Sequence, residues 1–307
     1  MAFTNYYYSG QGILWVAERD AAGRPKNQRR VGNIPELTIN IETTKFEHKE
    51  SESGNRLKDL VIIQEKNGTF QFTLENVDRD NLALGLWGQK VSVAGASVTD
   101  EDMIIYLDGR MTTKHPKVSS VTMTVNVPDW TAATAYAVGD YVAETGAGTD
   151  FHVAEIAGTS GGTEPTWMSG NGATVDGTVT WRHIGALPVT LVLDTDFTVE
   201  GNKGVITPIG TQWTAYGLPV QVDYTYADYI KVDAFTEATA PERYLRFEGV
   251  NTVNGDEVII EIFKAQFDPL TGYGLINEEI AQLTMAGSLL ADTLQPSGSQ
   301  YFKQINL

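Results

Sequence analysis

The sequence contains no cysteine. This absence excludes disulfide frameworks, zinc sites with thiolate ligands and cysteine nucleophiles. No segment approaches the ~20 consecutive apolar residues that a membrane-spanning helix needs. The opening residues MAFTNYYYSGQG carry neither the basic n-region nor the apolar h-region of a secretory signal. We therefore expect a soluble protein that is made in a cytoplasm and has no membrane partner.

Basic residues are also scarce. The chain contains 22 lysines and arginines but 39 aspartates and glutamates, which gives a net charge of −17. Nucleic-acid affinity comes mainly from basic side chains that neutralise phosphates. Tight DNA binding is therefore not expected. The acidic charge either keeps the protein soluble or forms a surface past which DNA moves without sticking, and both can hold together.

Signatures of catalysis are missing as well. The four histidines, His48, His115, His152 and His183, do not fall at a metal-ligand spacing. No GxSxG, Walker A or GxGxxG motif lies between a strand and a helix. The many carboxylates do not exclude a pair of the kind that glycosidases use. With 39 acidic residues, however, some pair will be close by chance, so their number alone does not indicate an active site. We expect no catalytic residue, no cofactor and no metal site, and rank an enzyme last among the possible functions.

Period-two alternation is the main structural signal that is present. The segment ELTINIETTKFEHKES alternates with Leu37, Ile39 and Ile41 on one side, which predicts a half-buried strand. Val61 begins another strand, and Asn67-Gly68 predicts a tight hairpin turn before a further alternating strand. That strand places three residues on its buried face: Phe70, Phe72 and Leu74.

The rest of the chain gives further strands and one helix. Turns are predicted at Gly201-Asn202 and Asn254-Gly255, and EIAQLTMAGSLLAD is predicted as the last long strand, with a helix as the alternative. The segment DRDNLALGLWG predicts a helix of about three turns, capped by Asp78, with Leu82 and Leu86 on one face and Gly88 at its end.

The polar stretch RDAAGRPKNQRRVGN is interpreted as a solvated loop or as a contact with an acidic neighbour. With about ten or more strands and one short helix, the predicted fold class is all-β, as a sandwich or a barrel.

The order of these segments resembles a known family. A first strand, an ELTIN-type strand, a long charged hairpin tip, a return strand and the DRDNLALGLWG helix resemble the N-terminal half of major tail tube proteins of bacteriophages with long, non-contractile tails. DTDFTVEGNKGVITPIG followed by PVQVDYTYAD is similar to the second half of the same proteins. The resemblance covers 1–128 and 187–307.

This resemblance implies both a fold and an assembly. Such proteins have a β-sandwich or barrel-like core, and six copies form a ring whose inner sheets join. The rings stack into a hollow tube, here with an acidic lumen, through which the phage DNA leaves the capsid. The implied location is the tail of the virion, assembled in the host cytoplasm. The implied partners are further copies of the chain, the tape measure, tail terminator and distal tail proteins, and double-stranded DNA in transit.

Two segments are candidates for contacts between copies. The polar loop 47–58 is long enough to reach a neighbouring ring, and its candidate stacking residues are Glu47, Lys49, Glu50, Glu52, Asn55 and Arg56. The N-terminal residues Tyr6, Tyr7 and Tyr8 have no obvious strand partner. They form either a disordered tail or an assembly arm that a neighbour orders.

The segment 129–186 departs from the tube pattern. Its motifs DWTAATAYAVGDYV, GTSGGTEPTW and DGTVTW resemble a small carbohydrate-binding-like β-module found in phage structural proteins and some chitinases. We therefore expect a domain inserted into a discontinuous tube domain of 1–128 and 187–307, projecting from the outside of the tube.

The aromatic residues of this segment have two interpretations. Sugars stack on exposed aromatic faces, whereas so small a domain also needs large side chains for its own core. The candidates for either role are Trp130, Tyr136, Tyr141, Trp167 and Trp181; of these, Trp167 is expected to be the most exposed.

Two other functions stay open. In an adhesin, 129–186 would bind cell-surface glycans and the rest would be a scaffold. The chain could also form the related tube of a bacterial secretion system or contractile injection device.

Overall fold

The computed structural model describes residues 7–307 except 53, 107–108, 147–149, 171, 188–189, 211–215 and 296–297. In this part of the chain, antiparallel strands dominate and a single short α-helix is present. The predicted all-β class is confirmed. No sheet closes into a barrel within the described residues of the single chain. No helix among them has the length and apolar character needed to cross a membrane.

The elements follow one another along the chain. The first part contains β1 (Gly10–Arg19), β2 (Pro25–Arg30), β3 (Glu36–Lys49), β4 (Lys58–Leu74), α1 (Arg79–Gly85) and β5 (Gln89–Val93). The middle contains β6 (Ala96–Ile105), β7 (Met111–Thr112), β8 (Val118–Val125), β9 (Ala135–Tyr136), β10 (Tyr141–Ala143), β11 (Asp150–Ile156), β12 (Gly158–Thr159), β13 (Ala173–Asp176), β14 (Val179–Ala186), β15 (Thr190–Leu191), β16 (Phe197–Glu200), a 3₁₀ helix (Gly201–Lys203), β17 (Val205–Pro208), β18 (Leu218–Tyr226) and β19 (Tyr229–Asp233). The last part contains β20 (Glu242–Asn251), β21 (Glu257–Phe267), β22 (Leu283–Leu289) and β23 (Phe302–Asn306).

The chain divides into two compact units, 1–91 with 231–307, and 92–230. The first unit is built on a sheet with strand order β2-β1-β20-β21-β22-β4-β3, in which β23 also pairs with β21. Its core is aromatic at the centre, where the ring of Phe70 meets that of Phe267 edge to face at 5.0 Å. The buried positions Phe70, Phe72 and Leu74 confirm the predicted alternation of β4.

The second unit contains several smaller sheets. One has the order β15-β8-β18-β6, another β16-β17-β7, and a third β10-β11-β14-β13. The third lies within 129–186, where β12 also pairs with β9. Tyr141, Phe151 and Val153 of this segment belong to the same buried cluster as Val220 and Val222 of β18. This division of the chain therefore differs from the predicted one of 1–128 with 187–307 and a separate 129–186.

The helix forms where it was predicted, but it is shorter. Asp78 caps it by accepting from the backbone N–H groups of Asp80 and Asn81 at 2.9 and 2.8 Å. The α-helix has seven residues, about two turns rather than three. Leu82 and Leu86 are only partly buried. Its buried residues are Asn81, Ala83, Leu84 and Gly85.

Gly88 has a role other than a left-handed cap. Trp87 takes the positive φ of 49° after the helix, and the Gly88 N–H bonds to the carbonyl of Ala83 at 2.8 Å, as in a Schellman motif. A Cβ on Gly88 would lie 2.2 Å from the carbonyl oxygen of Asp233. Glycine is needed here because another backbone approaches closely.

The turn prediction at Asn67-Gly68 and the loop interpretation of residues 19–33 were wrong. Asn67 and Gly68 lie inside β4, paired with Glu42 and Ile41. A Cβ on Gly68 would lie 2.8 Å from a methyl group of Leu289, so this glycine accommodates a neighbouring side chain rather than a turn. The polar stretch 19–33 contains β2, which pairs with β1. The turns at Gly201-Asn202 and Asn254-Gly255 are confirmed, since each lies between two paired strands.

Candidate functional site

The hairpin of β3 and β4 extends well beyond the sheet from which it starts. β22 pairs with β4 only over residues 68–74, whereas β3 and β4 remain paired with each other out to Lys49 and Lys58. We call residues 42–66 the hairpin arm. Within the described residues, neither strand of the arm has another strand on its outer edge. The arm therefore presents two rows of backbone N–H and C=O groups without a strand partner.

The arm carries apolar side chains on both of its faces. Phe46 lies opposite Ile62, and His48 opposite Leu60, on one face. The other face carries Ile63 opposite Lys45, and Val61 opposite Glu47. The apolar members are 46–53% exposed in the single chain: Phe46, Leu60, Val61, Ile62 and Ile63. A ribbon of this kind cannot turn both apolar faces toward its own core.

The stacking residues predicted for loop 47–58 are divided between strand and turn. Glu47 and Lys49 belong to β3, so the loop is shorter than predicted and spans 50–57. Lys58 Nζ reaches the Glu47 carboxylate at 2.5 Å, and this hydrogen bond lowers the pKa of Glu47. The Glu50 carboxylate accepts from the backbone N–H of Glu52 at 2.7 Å.

The turn is thus organised internally and remains exposed. The Glu50 carboxylate also accepts from the N–H of Leu57. Asn55 lies in the exposed turn, and Arg56 adopts a positive φ of 48°. His48 Nδ1 lies 2.6 Å from the Asp59 carboxylate, and this contact lowers the pKa of Asp59.

The N-terminal tyrosines are only partly described. Tyr6 lies outside the described residues, whereas Tyr7 and Tyr8 are both at least 60% exposed. Asn251 holds the backbone at this point, since its side chain donates to the Tyr7 carbonyl at 2.9 Å and accepts from the Ser9 N–H at 3.0 Å. The side chains of Tyr7 and Tyr8 remain largely exposed although the backbone that carries them is anchored.

In the segment 129–186, two of the candidate aromatics share one buried acceptor. The indole N–H groups of Trp130 and Trp181 donate to the same carboxylate oxygen of Asp176, at 2.8 and 3.2 Å. The other oxygen accepts from the backbone N–H of Gly161 at 2.7 Å. Asp176 is 3% exposed, and Trp181 is fully buried. This arrangement ties β13, β14 and the glycine-rich loop together.

The other three candidates also pack within the second unit. Tyr136 meets Trp181 edge to face at 4.8 Å, and Tyr141 is buried. Trp167, expected to be the most exposed of the five, is half-buried. Its ring stacks on that of His152 at 4.0 Å, and its N–H donates to Glu164 at 2.9 Å.

The histidines of this segment form a cluster with two carboxylates. His152 is fully buried and its Nε2 lies 3.2 Å from Glu144, while its Nδ1 has no hydrogen-bond partner. Its ring meets that of His183 at 5.5 Å, and His183 Nε2 lies 2.9 Å from Asp150. Burial lowers the pKa of His152, although Glu144 acts in the opposite direction. Among the described residues, no three histidine or carboxylate side chains are placed to hold a metal ion.

Sequence reasoning missed the apolar character of the arm. The run LVII at 60–63 is the signal that could have revealed it, because four consecutive apolar residues in a strand put apolar side chains on both faces. It also missed the connection between β21 and β22, which exposes Leu275, Ile276 and Ile280 by more than 70% each.

Comparison with known proteins places this architecture in one family. A family model described as "Protein of unknown function UCP028589" matches residues 7–159 and 172–305. The match runs through both compact units and includes most of 129–186. No curated protein matches the chain. Because the two matched ranges cover most of the sequence, the chain belongs to the family described as Protein of unknown function UCP028589.

Proposed function

We propose that this chain is the major tail tube subunit of a bacteriophage with a long, non-contractile tail. It is a structural protein of the virion rather than an enzyme. Six copies form a ring, and stacked rings form a hollow tube for the passage of the phage DNA. The observation that carries the proposal is the hairpin arm, because its free edges and its two apolar faces suit a position between several copies of the chain.

The free edges favour assembly through strand pairing. An unpaired strand edge is a template for another strand, and proteins that act as monomers usually shorten, charge or cover such edges. Here β4 has a free edge over the several residues that extend beyond its pairing with β22. The outer edge of β3 is free along its whole length. In a ring, each edge meets the neighbouring copy, so no edge is left over.

The apolar faces favour the same arrangement. Burying a large apolar side chain completely contributes about 1.5–3 kcal/mol. Five half-exposed side chains on the arm therefore offer roughly 5 kcal/mol per copy on assembly. This contribution is repeated at every subunit. Head-to-tail stacking of rings does not close on itself, so the contact extends into a filament.

The acidic charge fits a conduit for DNA. Each copy contributes −17, and basic residues are too few to neutralise many phosphates. Carboxylates that face a lumen repel the phosphate backbone and keep passing DNA from sticking. The tape measure, tail terminator and distal tail proteins are the further partners that this function requires.

The segment 129–186 projects from the outside of the proposed tube, because an inward position would block the channel. Weak glycan binding by a module repeated along the tube would be strengthened by avidity. The burial of Trp130, Tyr141 and Trp181 favours the core interpretation for these rings over the platform interpretation. We therefore propose an exterior decoration, without assigning glycan binding to these residues.

Sedimentation velocity over a range of concentrations tests the proposal. The double variant Phe46→Ser, Ile62→Ser removes a cross-strand apolar pair from one face of the arm. Val175→Ser is the matched control, since Val175 is a 72% exposed apolar residue on β13. We expect large assemblies for the wild type and the control, and a shift of the double variant toward monomers. Equal assembly of all three proteins would refute the role given to the arm.

A further inference from the structure

A cavity in the first unit is lined by two arginines that form no ion pair with any residue that the structure describes. It lies between α1 and the strands β2, β1 and β20, and has a volume of about 440 Å³. Arg29 comes from β2 and Arg243 from β20.

A β-bulge opens the strands at this cavity. Val16 pairs with Arg29 and Glu18 pairs with Lys26, so one residue of β1 lies opposite two residues of β2. Asn27 in the bulge has a φ of 54°, a conformation that asparagine tolerates better than most residues. Bulges of this kind often redirect side chains next to functional sites. Here Asn27 and Arg29 both line the cavity.

The hydrogen bonds of the two arginines go to neutral acceptors. Arg29 donates from Nη1 to the side-chain oxygen of Asn81 at 2.6 Å. Arg243 donates from Nη1 to the backbone carbonyl of Glu242 at 3.0 Å. Neither guanidinium has an ion pair in the described part of the chain. Each guanidinium has five N–H donors in a planar fork, so most of these donors remain available.

Two of the three carboxylates that line the cavity have hydrogen-bond partners in the same lining. Asp80 pairs with Lys90 at 2.6 Å, and Glu237 accepts from the side chain of Gln89 at 3.0 Å. Glu18 is the remaining acidic residue of the lining. Burial lowers the pKa of Arg29, Asp78 and Asp80 raise it, and the nearby positive charge of Arg243 lowers it. The two arginines thus line one cavity with like charges, and Asp78 and Asp80 partly offset the charge of Arg29.

We propose that this cavity is an anion-binding site, in which Arg29 and Arg243 together hold a carboxylate or a phosphate group. An anion held between the two guanidinium groups would accept charge-assisted hydrogen bonds from both of them. Its negative charge would also offset their like charges. A carboxylate would come from an acidic side chain or a small organic acid, and a phosphate from a phosphorylated compound. The proposal is independent of tube assembly.

Calorimetric titration of the full chain tests the site with two probes, malonate for the carboxylate and inorganic phosphate for the phosphoryl group. Sodium chloride keeps the ionic strength constant. We expect at least one probe to bind to a single site, and Arg243→Gln to weaken that binding on the order of tenfold or more. Arg24→Gln is the matched control, because it removes the same charge from an exposed position in the same unit.

Each outcome separates the possibilities. Binding of malonate alone assigns the site to carboxylates, and tighter binding of phosphate assigns it to phosphoryl groups. Arg29→Lys keeps the charge but loses the fork, and we expect it to weaken binding as well. Absence of binding by both probes, or equal weakening by Arg24→Gln and Arg243→Gln, would overturn the proposal. Arg243→Gln is the principal variant because, in the described part of the chain, the only side-chain hydrogen bond of Arg243 is to a neighbouring backbone carbonyl.

Discussion

The Asp176 carboxylate should dominate the stability of the segment 129–186. It accepts three hydrogen bonds, from the indoles of Trp130 and Trp181 and from the backbone of Gly161. Asp176→Ala leaves these three donors without their acceptor at a site that is 3% exposed in the native protein. Each buried donor left unsatisfied costs about 1–3 kcal/mol, so we expect a loss of at least about 3 kcal/mol in the free energy of unfolding. Urea unfolding followed by tryptophan fluorescence measures this loss.

Glu164 provides the matched control for this prediction. It also accepts from an indole, that of Trp167, and from the backbone N–H of Thr145. Glu164 is only half-buried, so water can replace the lost acceptor. Glu164→Ala should therefore cost less than about 1.5 kcal/mol. If Asp176→Ala proved no more destabilising than Glu164→Ala, the shared buried acceptor would not be what holds this segment together.

Two further predictions concern pH and close packing. Because burial lowers the pKa of His152 below its unfolded value of about 6.5, the unfolded chain binds the proton more readily, and stability should fall as the pH drops below about 6.5. His152→Phe should lose this part of the pH dependence in thermal unfolding curves; identical pH profiles for both proteins would contradict the assignment. A Cβ on Gly287 would lie 2.0 Å from the carbonyl oxygen of Gln266 on the paired strand, so Gly287→Ala should destabilise the first unit by several °C in melting temperature. An unchanged melting temperature would show that the β21–β22 pairing adjusts without cost.

Much of the fold could be predicted because its strands bury one face. In β18, Val220, Val222 and Tyr224 alternate with more exposed residues, and all three are buried. The turn at Asn254-Gly255 was also predictable, since Gly255 takes the positive φ that such turns require. Local signals were sufficient where local chemistry sets the conformation.

The wrong predictions arose where contacts with a distant part of the chain determine the local conformation. Asn67-Gly68 has the sequence of a hairpin turn, but it is held in β4 by pairing with β3 and by the approach of Leu289. Leu82 and Leu86 share a helix face by their spacing and are partly buried, whereas the polar residue Asn81 is fully buried. The Asn81 side chain donates to backbone carbonyls of Val31 and Asn76, contacts that no spacing within the helix reveals.

The hairpin arm, too, could be predicted only in part from the sequence. The charged tip was recognisable from Glu50, Glu52 and Arg56, but the position of the strand ends was not. The exposure of Phe46 and Ile62 depends on how far β22 extends along β4, which is a property of the whole sheet. Sequence patterns identify apolar residues, but they do not show which of them remain for another copy to cover.

Negative-stain electron microscopy of the purified full chain, fresh and after concentration, tests the central claim most directly. The account predicts rings in end-on views and hollow tubes in side views, with regular knobs on the outside at the position of 129–186. Single particles of monomer size at every concentration, or solid fibrils without a central channel, would contradict it.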